Sequence, residues 1–354
     1  MSLSCHGPGR ARHDPNLDPA APRRRPPAGG RPLAALAAAL LLGAAVAGCG
    51  RPDVLAGFAA PRGVRLAPDG RLLVTDLGTG RSDGRVVAVD LAAGRREVLL
   101  DRLPSTRSSG QQHADLAGPS GAAMAPDGTV CVVIGDATRP RAGFSMLRCS
   151  DRLVADLEAY ERAANPDGRE LASNPYDVAW DGGDGWYVSD AAANAVLHVD
   201  RAGRIRTVAV VASMAPFGGR PAQGVPTGLA RAADGTVYVA LFGGAPAEGG
   251  PAVVVALRPD PDGGRTRPAA VARAVAPIGV SPGPQGLAVL DYGGGPADRG
   301  RGRIVLVARP ADPGTVAATG LDRPVGMARL PDGRYVVTET DRGRLRLVSL
   351  ERAG

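Results

Sequence analysis

Six copies of a short anchor divide this chain: Pro61-Arg62-Gly63, Pro119-Ser120-Gly121, Pro175-Tyr176-Asp177, Pro226-Thr227-Gly228, Pro284-Gln285-Gly286 and Pro324-Val325-Gly326. They stand 58, 56, 51, 58 and 40 residues apart. After each comes a small-apolar run, a turn and a second apolar run. Self-similarity at that period, with several short strands per copy, predicts a β-propeller. The first copy shows the pattern. Val64-Arg65-Leu66 reads as an inner strand and Pro68-Asp69-Gly70 as a tight turn, with Leu72 to Thr75 as a second strand ending at Asp76. Arg85 to Val89 and Glu97 to Leu100 supply the third and fourth strands. In the anchors, proline fixes φ and glycine is expected to supply a positive φ. Asp-Gly turns recur at Asp127-Gly128, Asp184-Gly185, Asp234-Gly235 and Asp332-Gly333, and the fifth copy lacks one.

The prediction is therefore an all-β, six-bladed ring over residues 54–354. The last copy ends after its third strand, at Leu345 to Val348. Val54 to Phe58 is expected to supply the missing fourth strand, which closes the ring and hides two sheet edges. Aromatic residues are 3% of the chain, so the core must be built from Val, Leu, Ile and Ala.

The first 48 residues read differently. Arg23, Arg24, Arg25 and Arg31 precede an uninterrupted apolar stretch from Leu33 to Ala47. That stretch is too short to span a bilayer as a helix, and a basic flank before a short apolar core is the pattern of an export signal. Val46-Ala47-Gly48-Cys49 resembles a bacterial lipobox, which makes Cys49 the expected lipidation site and residues 49–53 a short tether. Gly50 follows the cysteine, so a Gram-negative envelope would place such a protein at the outer membrane, on its periplasmic side or surface. The membrane would be reached through this lipid alone.

The 42 basic residues exceed the 35 acidic ones by seven. Residues 1–48 hold six Arg and two Asp, a surplus of four, which leaves three for the remainder. No basic stripe interleaved with aromatics is present, and nucleic-acid binding is excluded as an expectation.

Residues 151–163 break the strand pattern. Leu153, Leu157 and Tyr160 are helically spaced with charges between them, which predicts a short amphipathic helix in place of a lead-in strand to the third blade. Here Ala155-Asp156-Leu157-Glu158-Ala159-Tyr160-Glu161, Asn165-Pro166-Asp167-Gly168 and Ser173-Asn174-Pro175-Tyr176-Asp177 closely resemble a signature of the ScyD/ScyE family, named for an association with biosynthesis of the pigment scytonemin. The likeness extends over residues 54–350. It implies an exported, NHL-like six-bladed propeller and brings no established catalytic residue. The lipobox, Cys131, Cys149 and a Gly-rich insertion from Phe242 to Pro251 depart from that family.

Inner strands of a propeller begin at the funnel mouth. The middle anchor residues Arg62, Ser120, Tyr176, Thr227 and Gln285, with Val325, are therefore the expected ligand-binding set. Second strands end in Asp76, Asp136, Asp190, Asp291 and Glu339. Such carboxylates could hold Ca²⁺, but a residue repeated in blade after blade favours a structural task, namely accepting backbone N–H bonds in the following turn. No metal ligand or catalytic residue is assigned. His113 and His198, the histidines after the leader, show no partner at metal or triad spacing. Cys131 and Cys149 fall on adjacent strands; if Ile134 pairs with Met146, they face each other, as a disulfide or as two buried thiols.

Three readings stay open. A monomeric binding module would take a small molecule, a glycan or an envelope protein at the funnel mouth. A metal-dependent, gluconolactonase-like hydrolase would need mixed Glu, Asn and Asp ligands, and the anchors do not show them. A structural envelope protein would need no ligand.

Overall fold

The computed structural model describes residues 53–107, 116–137, 141–150, 152, 154–212, 223–243, 252–293 and 301–350. The leader, Cys49, His113 and residues 244–251 of the fourth-blade insertion lie outside the described residues. Among the described residues no helix is long and apolar enough to cross a membrane.

Six four-stranded antiparallel sheets form the blades of a propeller. Blade 1 runs Pro61–Leu66, Leu72–Asp76, Gly84–Asp90 and Arg95–Leu103. Blade 2 runs Pro119–Met124, Val130–Ile134, Met146–Cys149 and Val154–Asp156. Blade 3 comprises Pro175–Trp180, Gly185–Asp190, Ala195–Asp200 and Ile205–Val210. Blade 4 comprises Pro226–Arg231, Val237–Leu241, Val253–Leu257 and Ala269–Arg273. Blade 5 comprises Pro277–Gly283, Gly286–Asp291, Arg301–Val307 and Thr315–Asp322. Blade 6 has Pro324–Arg329, Tyr335–Glu339 and Arg344–Val348, and its fourth strand is Val54–Ala56. Leu55 pairs with Leu345, so the strand that precedes blade 1 closes the ring.

The fifth anchor differs from the sequence expectation. Blade 5 opens on Pro277-Ile278-Gly279, and Pro284-Gln285-Gly286 is the turn between its first two strands. This corrects the uneven repeat spacing and explains the missing Asp-Gly turn.

The anchor glycines also do a different job from the one expected. Gly63, Gly121, Gly228 and Gly326 are not among the glycines with positive φ. They are needed because neighbouring inner strands come very close around the axis. A Cβ at Gly63 would lie 2.5 Å from the Ser120 carbonyl oxygen, and one at Gly326 would lie 2.4 Å from that of Arg62. A Cβ at Gly228 would lie 2.7 Å from the Cα of Gly279. Only glycine permits such backbone contact.

Hydroxyls tie the same strands across blade boundaries. Thr75 donates to the Ser120 carbonyl at 3.0 Å and Ser120 to that of Pro175 at 2.9 Å. Ser189 donates to the Thr227 carbonyl at 2.5 Å and Thr227 to that of Pro277 at 3.3 Å. Thr338 returns the series to blade 1, donating to the Arg62 carbonyl at 2.6 Å.

Between blades, apolar layers fill the ring. Leu73, Val86, Ala122, Val132 and Ile134 join blades 1 and 2, and Val74, Val87, Leu330, Val336 and Leu345 join blades 6 and 1. The second strands are buried throughout in blades 1, 2, 3 and 6, because both of their faces meet a neighbouring blade. In blade 2, Met146 pairs with Ile134 and Cys149 with Cys131, and the two cysteines form a disulfide.

The helix is Leu157–Ala164, capped by the Asp156 carboxylate, which accepts from the Ala159 N–H. It does not replace a strand. Val154–Asp156 is the fourth strand of blade 2, cut to three residues, and the helix follows it toward blade 3.

Removing residues 53–58 should strip blade 6 of its outer strand and lower the melting temperature by more than about 10 °C, since it also removes buried Phe58 from the layer between blades 6 and 1. Differential scanning calorimetry of the truncated and intact chains measures this.

Candidate functional site

The inner strands surround a central cavity of about 310 Å³. Its lining includes Arg62 and Arg65 of blade 1, Ser120 of blade 2, and Tyr176 and Asp177 of blade 3. Arg231 ends the inner strand of blade 4 and Arg329 that of blade 6, and both reach the same cavity. Four arginines thus face one aspartate along the channel.

Asp177 occupies the anchor position that is glycine in the other blades, and it therefore brings a carboxylate where they have only backbone. One oxygen accepts from Arg65 Nη2 at 2.9 Å and from the Leu229 N–H at 3.0 Å. Arg65 Nη2 also donates to the Leu229 carbonyl at 3.0 Å. Blades 1, 3 and 4 are joined across the channel by this bridge. Arg62 stacks on the Tyr176 ring, its Cζ 4.7 Å from the centroid.

Three polar groups at this place have no hydrogen-bond partner although all are buried: Arg62 Nε, Arg65 Nε and the Tyr176 hydroxyl. Tyr176 is 9% exposed. Burial pushes its hydroxyl above the usual phenol value, so at neutral pH it keeps its proton and can donate. Buried donors without acceptors are costly, at about 1–3 kcal/mol each.

The expected mouth residues divide. Arg62, Ser120 and Tyr176 line one cavity. The hydroxyls of Ser120 and Thr227 are committed to neighbouring carbonyls, and Thr227 is not part of the lining. Val325 lines the cavity as an apolar residue. Gln285 does not belong to the set. It sits exposed in the turn of blade 5, at the opposite end of the inner strand from Pro277, which is a correction that follows from the displaced anchor. Arg65 and Asp177 were not anticipated. The Gly-to-Asp departure in Pro175-Tyr176-Asp177 was the available signal for Asp177, whereas Arg65 resembles any polar residue in an alternating strand.

The carboxylates that end the second strands accept bonds from the connection leading into their own blade. Asp76 accepts from the N–H groups of Ala59 and Ala60, and Asp291 from that of Ala276. Glu339 accepts from the Asp322 N–H. Arginines on the third strands neutralise all three: Arg85, Arg303 and Arg344. Asp190 is buried in the same way and accepts from Asn174 N–H and Ser173 Oγ. The residue opposite it is Ala195, not arginine. Asp136 is exposed.

His198, against expectation, does have acidic partners. Its Nε2 lies 2.8 Å from Asp181 Oδ2, and Asp181, Asp184 and His198 each offer a ligand atom within 4.8 Å of the others. The turn between the first two strands of blade 3 folds back onto the third strand, a contact that linear spacing conceals. This is an acidic group of metal-ligand type, away from the channel. Within the channel itself the donor set does not fit a divalent ion, because Asp177 is already shared between Arg65 and Leu229 and the remaining charged lining is guanidinium.

No family model matches the chain, and no curated protein matches it. Solved structures do. The PQQ-bound aldose sugar dehydrogenase of Streptomyces coelicolor is 16% identical with a TM-score of 0.50, over 83% of this chain and 96% of that one. A gluconolactonase of Xanthomonas campestris is 14% identical with a TM-score of 0.50, over 84% and 89%. An auxiliary nutrient binding protein of Bacteroides thetaiotaomicron is 10% identical with a TM-score of 0.53, over 84% and 70%. At these identities the likeness is one of fold.

Two outcomes follow. Tyr176→Phe removes a buried hydroxyl that has no partner, so thermal melting should show unchanged or slightly raised stability, and a loss of more than about 2 kcal/mol would mean the hydroxyl is bonded within the fold. Burial raises Glu161 to about 7, with repulsion from Asp190 and Asp167 adding to it, and burial raises Asp190 to about 6. The fold therefore holds protons that the unfolded chain releases at lower pH. In buffer without divalent cations, stability should fall as pH rises from about 4 to about 7, by several degrees in melting temperature.

Proposed function

We propose that this protein is a binding module whose central channel takes a small anionic molecule, a carboxylate or phosphate, between Arg62, Arg65 and Tyr176. The observation that carries the reading is a channel whose charged lining is four arginines and one aspartate; three of its lining side chains, Arg62, Arg65 and Tyr176, also carry a buried polar atom without a partner. Guanidinium groups suit an oxyanion, to which their hydrogen bonds are about twice as strong as neutral ones. Asp177 holds Arg65 in place by accepting from its Nη2.

Hydrolysis by a channel metal is the weaker reading, because the lining offers arginines where a hard cation needs oxygen ligands. The wider proposal places this module at a bacterial envelope. Its support is sequence alone: the export-type leader, the lipobox ending in Cys49, and the ScyD/ScyE-like segment from 155 to 177. A monomer attached through its N-terminal lipid is the state proposed there.

Isothermal titration with inorganic phosphate, citrate and gluconate at low salt tests the channel. At least one should bind, and rising NaCl should weaken it. Arg62→Gln and Tyr176→Phe should each reduce that affinity about tenfold or more. Binding indifferent to both variants, or no binding by any of the three, contradicts the reading.

A further inference from the structure

One turn of the ring does not follow the repeat. Between the first two strands of blades 1, 2, 4 and 6 the turns share a backbone bond: the Ala67 N–H donates to the Arg71 carbonyl, Ala125 to Thr129, Ala232 to Thr236 and Leu330 to Arg334. Each of these turns has aspartate at its third position and glycine at its fourth. The aspartate is spent within the turn, as Asp69 accepts from the Arg71 N–H and Asp127 from that of Thr129. In blade 3 the same backbone bond runs from the Asp181 N–H to the Gly185 carbonyl. Here the third position is Gly183, and the aspartates stand at the first and fourth positions, Asp181 and Asp184.

The third strand of blade 3 departs as well. His198 lies opposite Tyr187, three residues before the partner of the anchor proline. At that register the other blades have Ala88, Cys149 of the disulfide, Ala256, Leu306 and Leu347. His198 is 7% exposed, and its ring meets that of Tyr187 edge to face. Gly185 makes room for it, since a Cβ there would lie 2.7 Å from both Cε1 and Nε2 of the imidazole.

These departures converge on one point. His198 Nε2 lies 2.8 Å from Asp181 Oδ2, and one ligand atom from each of Asp181, Asp184 and His198 lies within 4.8 Å of the other two. The Gly183 N–H fixes the other oxygen of Asp181 at 2.7 Å, which leaves Oδ2 to His198. Among the described residues no hydrogen bond or ion pair engages the Asp184 carboxylate.

We propose that Asp181, Asp184 and His198 bind a zinc ion, which pins the turn of blade 3 to its third strand. An imidazole beside two carboxylates suits zinc, whereas calcium and magnesium take oxygen ligands. Three atoms within 4.8 Å of one another need move by less than about 1 Å to reach Zn–N and Zn–O lengths of about 2.0–2.2 Å. The ion takes the place of the hydrogen between Nε2 and Oδ2, and the neutral imidazole then holds its proton on Nδ1. Asp184 is exposed, so the ion enters from solution and water completes the tetrahedral set.

The test uses the full chain, stripped with EDTA and dialysed, near neutral pH. Titration calorimetry with zinc chloride should show a site with a dissociation constant of about 1 µM or tighter. Zinc should raise the melting temperature, and calcium or magnesium chloride should not. Asp184→Asn changes an exposed side chain, so it should keep the fold and weaken the site about tenfold or more. His198→Leu introduces the side chain that blades 5 and 6 carry at this register, and it should abolish the site. A wild type that shows no zinc site and no gain in melting temperature overturns the proposal. Zinc binding equal in the wild type and both variants also overturns it, because the ion then lies elsewhere on the chain. So does a site that calcium fills as readily as zinc, since histidine would not be a ligand. Should His198→Leu fail to fold, Asp184→Asn decides.

Discussion

The contact on which this structure depends is backbone against backbone around the propeller axis. Inner strands approach until a single methyl group at Gly63, Gly228 or Gly326 would collide with the neighbouring main chain. That closeness has two consequences. The carbonyl oxygens of one blade come within reach of hydroxyls on the next, and Thr75, Ser120, Ser189, Thr227 and Thr338 make those bonds. It also narrows the channel, so any side chain at an inner position is held among others. Asp177 replaces one of the glycines, and its carboxylate meets Arg65 of blade 1 and Leu229 of blade 4 directly. The site is thus a local exception to the rule that builds the ring.

Much of the fold was legible because the propeller repeats itself. Turn chemistry, Val-rich strands and the recurrent proline marked the blades, and the unpaired end of the last repeat pointed to Val54 for closure. In the fifth blade Pro284-Gln285-Gly286 imitates an anchor, whereas the true Pro277-Ile278-Gly279 carries an apolar middle residue. The anchor glycine was read as a turn residue; its cause is a contact with a strand more than fifty residues away, which local sequence does not display. The site was less legible for the same reason. Ser120 and Thr227 look like ligand-binding hydroxyls until the neighbouring carbonyls are placed. Arg65 acquires meaning only from partners 112 and 164 residues distant. His198 gained its aspartate through a turn that folds back on its strand.

Blade 3 concentrates these departures. It has Asp177 in place of the glycine and Ala195 in place of the arginine, and it is preceded by the helix that buries Glu161. Of the six buried polar atoms without partners among the described residues, three belong to the channel-lining side chains of Arg62, Arg65 and Tyr176 and two to Glu161; the last is Trp186 Nε1. A fold that satisfies its backbone so thoroughly does not scatter such costs at random. Five of the six belong either to the channel lining or to the glutamate that the helix buries.

Recognition of an anion by Arg62, Arg65 and Tyr176 can be observed in the channel itself. A crystal structure of the protein soaked in bromide, read by anomalous scattering, tests it most directly. The account predicts a bromide peak inside the channel within hydrogen-bond reach of the Tyr176 hydroxyl and at least one of the two guanidinium Nε atoms. A channel free of bromide, with these donors turned to protein acceptors, would contradict it.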